Sequence, residues 1–380
     1  MKLALFEDRF SGIAGAQENL LILGEGLIAQ GHEVKLFTNA DGALAQAAHE
    51  RGVRAAIVPA DERTRHLQRS MARPSEALST ARSVARFSRD LGLALKAFNP
   101  DVVLASAVRS ALYVGLSRPI HRAPLYLFAQ NSVPLGVLGL PSAVLASKIL
   151  LISQPCERSF PSWSRRLLAK KSSVLHSGRD PQHWRRDSHG VRAGDGPVHL
   201  LTLCSIVKRK GVHDHLEAVH TLVAEGCDLE LTIGGADRGP REYCAAVRQR
   251  VVTDDLPVTF VDWLDDPRPL LEAADIFVLA SYDEGLPGVL LEAMAYELPC
   301  VSTNAGGSAD AVAHETSGLV VPVGSPDDLA DAIRRLIRSQ DERHQFGRSG
   351  RGIFEQRFTV KDFVEGFLDH VPSELVSVST

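Results

Sequence analysis

The chain has 380 residues, 44% of them apolar and 23% charged, which are the proportions of a soluble globular protein and a length suited to two domains. Such values exclude a fibrous or intrinsically disordered chain. The net charge of -4 conceals an asymmetry, because residues 1–180 carry 23 Lys and Arg against 14 Asp and Glu, whereas residues 181–380 carry 19 against 32.

The opening MKLALF is too short an apolar run for a secretory signal and reads as a first strand. A helix is predicted over about residues 16–30, followed by the strand-like runs HEVKLFT, AAIVP, DVVLAS, PLYLFA and KILLIS with helix-period stretches between them. The apolar stretch 135–152 is broken by Gly136, Gly139, Pro141 and Lys148, which argues against a membrane-spanning helix. His176-Ser177-Gly178-Arg179-Asp180 and the polar residues up to Gly196, with Pro181, Gly190 and Gly194 among them, read as a linker. Alternation then restarts with VHLLTLCS, LELTIGG, VTFVDWL, IFVLAS, PCVST and GLVVPV, and a last helix is predicted near residues 360–370.

Strands alternating with helices predict an α/β protein with parallel sheets covered on both faces. The expected organisation is a Rossmann-like doubly wound domain over 1–175, a linker over 176–196 and a second such domain over 197–355, with a cleft between them and the end of the chain, 356–380, packing back on the first domain. The five cysteines are scattered without C-x-x-C spacing, which argues against a zinc site or a disulfide framework and fits a reducing cytoplasm.

The strongest chemical signal is IFVLASYDEGLPGVLLEAMAYELPCVST, where a strand runs into Glu284-Gly285-Leu286-Pro287-Gly288 and a helix is predicted to open at about Pro287. The amides of Gly288, Val289 and Leu290 are then expected to be free at the positive end of that helix, where phosphate is favoured. Glu284 precedes the helix and Glu292 lies little more than one turn inside it, so two carboxylates flank the same anion site and suit hydroxyl-rich groups. A second loop, Ser205-Ile206-Val207-Lys208-Arg209-Lys210-Gly211, follows the strand HLLTLC, and a third, Phe10-Ser11-Gly12-Ile13-Ala14-Gly15-Ala16-Gln17, leads from the first strand into a helix.

The segment 284–292 resembles the E-x-x-x-x-x-x-x-E signature of family 4 retaining glycosyltransferases, followed as there by Ala293-Met294-Ala295 and a turn at Pro299. Gly306-Gly307 with Asp310, Gly318-Leu319-Val320 and a helix over 326–337 continue the resemblance, which is strong over 198–358 and moderate over the first forty residues. It implies the GT-B fold and a contact of Glu284 with the donor sugar and of Glu292 with the ribose. The loop at Ser205 resembles the family's G-R-x-x-x-x-K-G segment, which gives Lys210 the diphosphate lysine's place. Ser205, or Cys204 if the loop is counted differently, stands where that segment has its arginine, leaving Lys208 or Arg209 to compensate or to lie exposed on the turn. The loop at Gly15 resembles the family's G-G-A-E turn, with a glycine expected to let the backbone approach the ligand.

The resemblance therefore implies Glu284 and Lys210 as catalytic residues. The donor-binding set is Gly15, Ser205, Arg209, Lys210, Glu284, Gly285, Leu286, Pro287, Gly288, Val289, Leu290 and Glu292. Gln130, after PLYLFA where the family has a histidine, is placed on the acceptor or sugar side. The co-substrate implied is a nucleotide diphosphate sugar of UDP or GDP type, with no tightly bound cofactor and no metal. The acceptor expected is a glycan, a lipid or a small molecule.

Rival functions are weaker on the residues. A nicotinamide dehydrogenase needs G-x-G-x-x-G, and the nearest segment, Gly234-Gly235-Ala236-Asp237-Arg238-Gly239, has alanine at a required glycine. A sugar-nucleotide epimerase, or an idle nucleotide-sugar-binding protein, stays open as the alternative. Nucleic-acid binding has no interleaved aromatic platform to support it. The arginines at 63, 65, 69, 73, 82, 86 and 89, together with Arg165, Arg166, Lys170 and Lys171 beside Phe160 and Trp163, form either a solvated face or a surface for an anionic membrane, with the apolar residues 133–140 facing a lipid tail.

Overall fold

The computed structural model describes residues 1–8, 12–65, 67, 77–131, 136–186 and 196–376. Phe10, Ser11, Arg69, Arg73, residues 133–135 and linker residues 187–195 lie outside them. The chain divides into two compact units, Met1–Ser177 with Val360–Thr380, and Gly178–Thr359.

Among the described residues the first unit holds seven strands, β1 (Lys2–Glu7), β2 (Glu33–Thr38), β3 (Arg54–Ile57), β4 (Val102–Ala105), β5 (Leu125–Ala129), β6 (Lys148–Leu151) and β7 (Ser172–Val174), in the order β3-β2-β1-β4-β5-β6-β7. Every pairing is parallel. Leu3, Ala4, Leu5 and Phe6 are all buried, because a sheet covered on both faces needs an unbroken apolar run rather than alternation. The three-residue edge strand β7 is half-buried, and its Ser-Ser-Val sequence carries no such run, so no strand was expected there.

Four helices of this unit matter below: α1 (Gly15–Ala29), α2 (Ala77–Phe98), α3 (Val108–His121) and α4 (Ser162–Ala169). In α2 the buried Phe87, Leu91 and Leu95 recur every fourth residue, while Arg82, Arg86 and Arg89 face outward, the amphipathic division of a surface helix. The C-terminal helix Val360–Leu368 belongs to the same unit. Its Phe363 and Phe367 lie 5.8 Å from the ring of Phe128 and 6.4 Å from that of Tyr126.

The second unit has six parallel strands among its described residues, β8 (Val198–Leu203), β9 (Leu229–Gly234), β10 (Val258–Val261), β11 (Ile276–Leu279), β12 (Cys300–Thr303) and β13 (Gly318–Val321), in the order β10-β9-β8-β11-β12-β13. Its core is built from strand residues such as Leu200, Ile233 and Val278 against helix residues such as Val219, Ile333 and Leu336. Helices α5 (Val212–Ala224) and α6 (Gly288–Ala295) follow β8 and β11.

Both units are thus Rossmann-like and doubly wound, as the alternation predicts. The strand order reverses between β1 and β4 and again between β8 and β11, and loops leaving the carboxyl ends of strands at such a reversal form the usual binding crevice of this architecture. No helix of the described residues is long and apolar enough to cross a membrane.

Candidate active site

The two loops singled out by the sequence leave the adjacent strands β8 and β11, which pair in parallel at the reversal. They are joined by the backbone, Tyr282 N donating to Arg209 O at 2.8 Å. After β8 the chain forms a single 3-10 turn over Lys208–Lys210, ended by Gly211 at φ 63°. A Cβ on Gly211 would lie 1.9 Å from the carbonyl oxygen of Ala280. Only glycine satisfies both the left-handed backbone and that approach, and the approach is what sets Lys210 beside the loop after β11.

Lys210 Nζ is ion-paired with Glu284 Oε1, which also accepts from Ser281 Oγ at 2.7 Å. Both side chains are largely buried, 15% and 9% exposed. The pair is therefore poorly screened and held in one geometry, unlike a surface salt bridge. The Cys204 thiol at the foot of the same loop is pushed up to about 11 by burial, so it stays protonated near neutral pH and offers no thiolate nucleophile.

Pro287 caps α6 with extended backbone and Gly288 is its first helical residue, one position later than the sequence suggests. The Leu290 amide donates to Pro287 O at 3.0 Å, which corrects its expected role as a free phosphate donor. The amides of Gly288 and Val289 lie in the first turn, where no intrahelical partner exists. Leu286, Pro287 and Leu290 are buried and anchor the turn, whereas Gly285, Gly288 and Val289 are partly exposed.

Glu292, one turn inside α6, accepts from Arg179 Nε at 2.8 Å through Oε1. Arg179 is 4% exposed, its Nη1 donates to Gly178 O at 3.0 Å, and its backbone N–H donates to Phe358 O at 2.8 Å. A Cβ on Gly288 would lie 1.9 Å from Arg179 Nη2, so the guanidinium lies across the first turn of α6 in space that only glycine leaves open. Sequence reading placed Arg179 in the linker. Its one available signal was a charged residue directly after Gly178.

Other expected residues fall elsewhere. Ser205 is partly exposed on the β8 loop, and Arg209 is exposed, with Nη1 3.4 Å from Asp283 O. Gly15 is the exposed first residue of α1. A Cβ there would meet nothing within 4 Å and its φ is not positive, so its backbone does not require glycine. Gln130 is buried after β5 and its amide is bonded to α1: Oε1 accepts from Asn19 Nδ2 at 2.9 Å and Nε2 donates to Ala16 O at 3.1 Å. One N–H and one oxygen lone pair of the amide stay outside these two bonds.

At the reversal in the first unit two buried carboxylates went unnoticed in the sequence. Glu7 accepts from Ser106 Oγ, and Asp8 is ion-paired with Arg109 and accepts from Ser110 Oγ at 3.0 Å. An acid pair directly after the first strand run was the signal. Among the basic residues, Lys171 donates to the carbonyls of Ala143, Val144 and Ala146, and burial lowers its pKa. Phe160 is buried in the core. Neither belongs to an outward basic face. Among the described residues there is no cluster of His, Cys, Asp and Glu that could hold a metal ion.

Residues 197–339 match the family described as Glycosyl transferases group 1. The lipopolysaccharide core biosynthesis glycosyltransferase LpsE of Rhizobium meliloti is 30% identical over 184 residues, 47% of this chain and 51% of that protein. LpsD of the same organism is 26% identical over 348 residues, covering 90% and 94% of the two chains. Most regional matches, LpsE among them, span about half the length of the curated relatives or less. Among solved structures, HepE of Anabaena in complex with UDP and glucose aligns over 100% of both chains with a TM-score of 0.80 at 17% identity, a likeness of fold.

Proposed function

We propose that this chain, whose residues 197–339 match the group 1 glycosyl transferases, moves a sugar from a nucleoside diphosphate to an acceptor hydroxyl with retention of anomeric configuration and without a metal ion. The observation that carries this reading is the arrangement of two buried carboxylates, each paired with a cation, at the β8–β11 reversal: Glu284 on its loop with the largely buried Lys210, and Glu292 one turn inside α6 with the buried Arg179. Carboxylates accept the several hydroxyl hydrogen bonds of a sugar and a ribose. The cations keep the site from repelling a diphosphate.

In this reading Glu292 takes the ribose and Glu284 orients the transferred sugar. Departure of the nucleoside diphosphate concentrates negative charge on its phosphate oxygens, which Lys210 Nζ and the first-turn amides of α6 stabilise. The acceptor oxygen attacks from the face the diphosphate leaves, and its proton passes to the departing phosphate oxygen. The UDP of the HepE complex supports a uridine nucleotide, and the names of the lipopolysaccharide-core relatives support a glycan or lipid-linked acceptor. Incubation with a panel of UDP- and GDP-sugars tests the reading. Release of nucleoside diphosphate is expected, slowly into water and faster with acceptor. Isomerised sugar nucleotide without such release points to an epimerase, and binding without conversion to an idle binding protein.

The acceptor side is assigned to the first unit, with an anionic membrane as its docking surface. Trp163 and Leu167, four residues apart on α4, are 69% and 68% exposed beside the outward Arg166 and Lys170, the composition of an interfacial helix. Sedimentation with vesicles should need anionic lipid, weaken with salt and fall for Trp163→Ser with Arg166→Ser. Binding that ignores salt, or no binding at any composition, contradicts it.

A further inference from the structure

The arginine expected at the diphosphate is missing from the β8 loop, where Ser205 stands. The nearby Arg209 carries its guanidinium on the surface against Asp283 O. Arg179 instead brings a buried guanidinium to α6 from 113 positions before Glu292. Its Nε reaches Glu292 and its Nη2 occupies the space over Gly288, so the planar group runs along the first turn of the helix from its opening residue to the ribose carboxylate. A guanidinium fixed by Gly178 O and Glu292 is pre-organised, and its fork suits phosphate oxygens in a way that a lysine's point charge does not. The same first turn contributes the amides of Gly288 and Val289 and the positive end of the helix.

We infer that Arg179, with Gly288 clearing its space, is the arginine that receives the donor diphosphate in this chain, in place of one at position 205, and that it holds Glu292 toward the ribose. The inference rests on the reading of the second unit as a nucleotide-sugar site.

The test compares dissociation constants of a nucleoside and its 5′-diphosphate, using the base the wild type binds best. Arg179→Met should weaken the diphosphate about 10- to 100-fold more than it weakens the nucleoside, because the loss of charge-assisted hydrogen bonds to phosphate adds to the shared loss from an unbraced Glu292. Arg179→Met combined with Glu292→Gln removes both members of the buried pair, leaves no uncompensated charge and covers the case in which the single variant fails to fold. Its ratio of diphosphate to nucleoside affinity should fall by the same 10- to 100-fold. An arginine that only braced Glu292 would lower both affinities together. An unchanged ratio in a folded variant overturns the inference while leaving the site intact. A wild type that binds no nucleoside diphosphate overturns the nucleotide-sugar reading itself.

Discussion

Glu284 and Glu292 sit on the same short segment, and in the proposed reading one meets the transferred sugar and the other the ribose, so their removal should separate in kinetics. Ribose contacts persist from the bound state to the transition state, so Glu292→Ala should raise the donor KM with a smaller effect on kcat. Contacts to the transferred sugar position the reacting carbon, so Glu284→Ala should act mainly on kcat. Near-wild-type kcat/KM in both variants would refute the assignment. Lys210→Ala should cost about 2–4 kcal/mol in transition-state stabilisation, as removal of one charge-stabilising donor does. The exposed Lys208 should cost much less, and equal losses in kcat/KM would show that the wrong lysine was chosen. The two glutamates were legible in the sequence because strand, turn and helix bring them together within nine residues. Arg179 was not, because its partner is 113 positions away and nothing local distinguishes a linker arginine from a buried one. The bonds of Gln130 were hidden for a related reason: proximity to a strand's carboxyl end says where a side chain starts, and not that it reaches Asn19 and Ala16.

The elements were more readable than the contacts between them. Apolar runs such as LALF, VVLA and IFVL exist because strands buried on both faces need them, while β2 and β9 carry polar residues among their apolar ones and β3 and β10 are partly exposed edges. Edge strand β7, with Ser-Ser-Val half-buried, has no such requirement. Turn chemistry separates two glycines that look equivalent in sequence. Gly211→Ala combines a left-handed backbone with overlap on Ala280 O, so it should lower stability by at least about 2 kcal/mol and displace Lys210. Gly15→Ala, with open space around it, should change stability by less than about 0.5 kcal/mol. Thermal or denaturant unfolding of the two variants checks both, and similar losses would contradict the account of the β8 loop.

Across the whole molecule, buried and half-buried histidines set a pH dependence. His32, His121, His215 and His370 all have pKa values lowered, chiefly by desolvation. The unfolded chain takes up protons at these sites near pH 6.5, while the folded one resists until lower pH. Their stabilisation is therefore full above about pH 6.5 and is lost as pH falls below it. Apparent Tm should drop from pH 7.5 to 5.5. His215→Asn should flatten that slope, since Nδ1 of His215 lies 2.9 Å from Gly211 O and an amide can replace that donor without titrating. A Tm that is level or rises toward pH 5.5 would contradict this.

A nucleoside diphosphate sugar is proposed to bind at the loops after β8 and β11. Hydrogen–deuterium exchange, with and without the sugar nucleotide that most raises the Tm among UDP-, GDP- and ADP-sugars, tests it most directly. Slowed exchange is expected, concentrated in residues 205–211 and 284–292. Saturating ligand that leaves both segments unprotected, or protects only other parts of the chain, would contradict it.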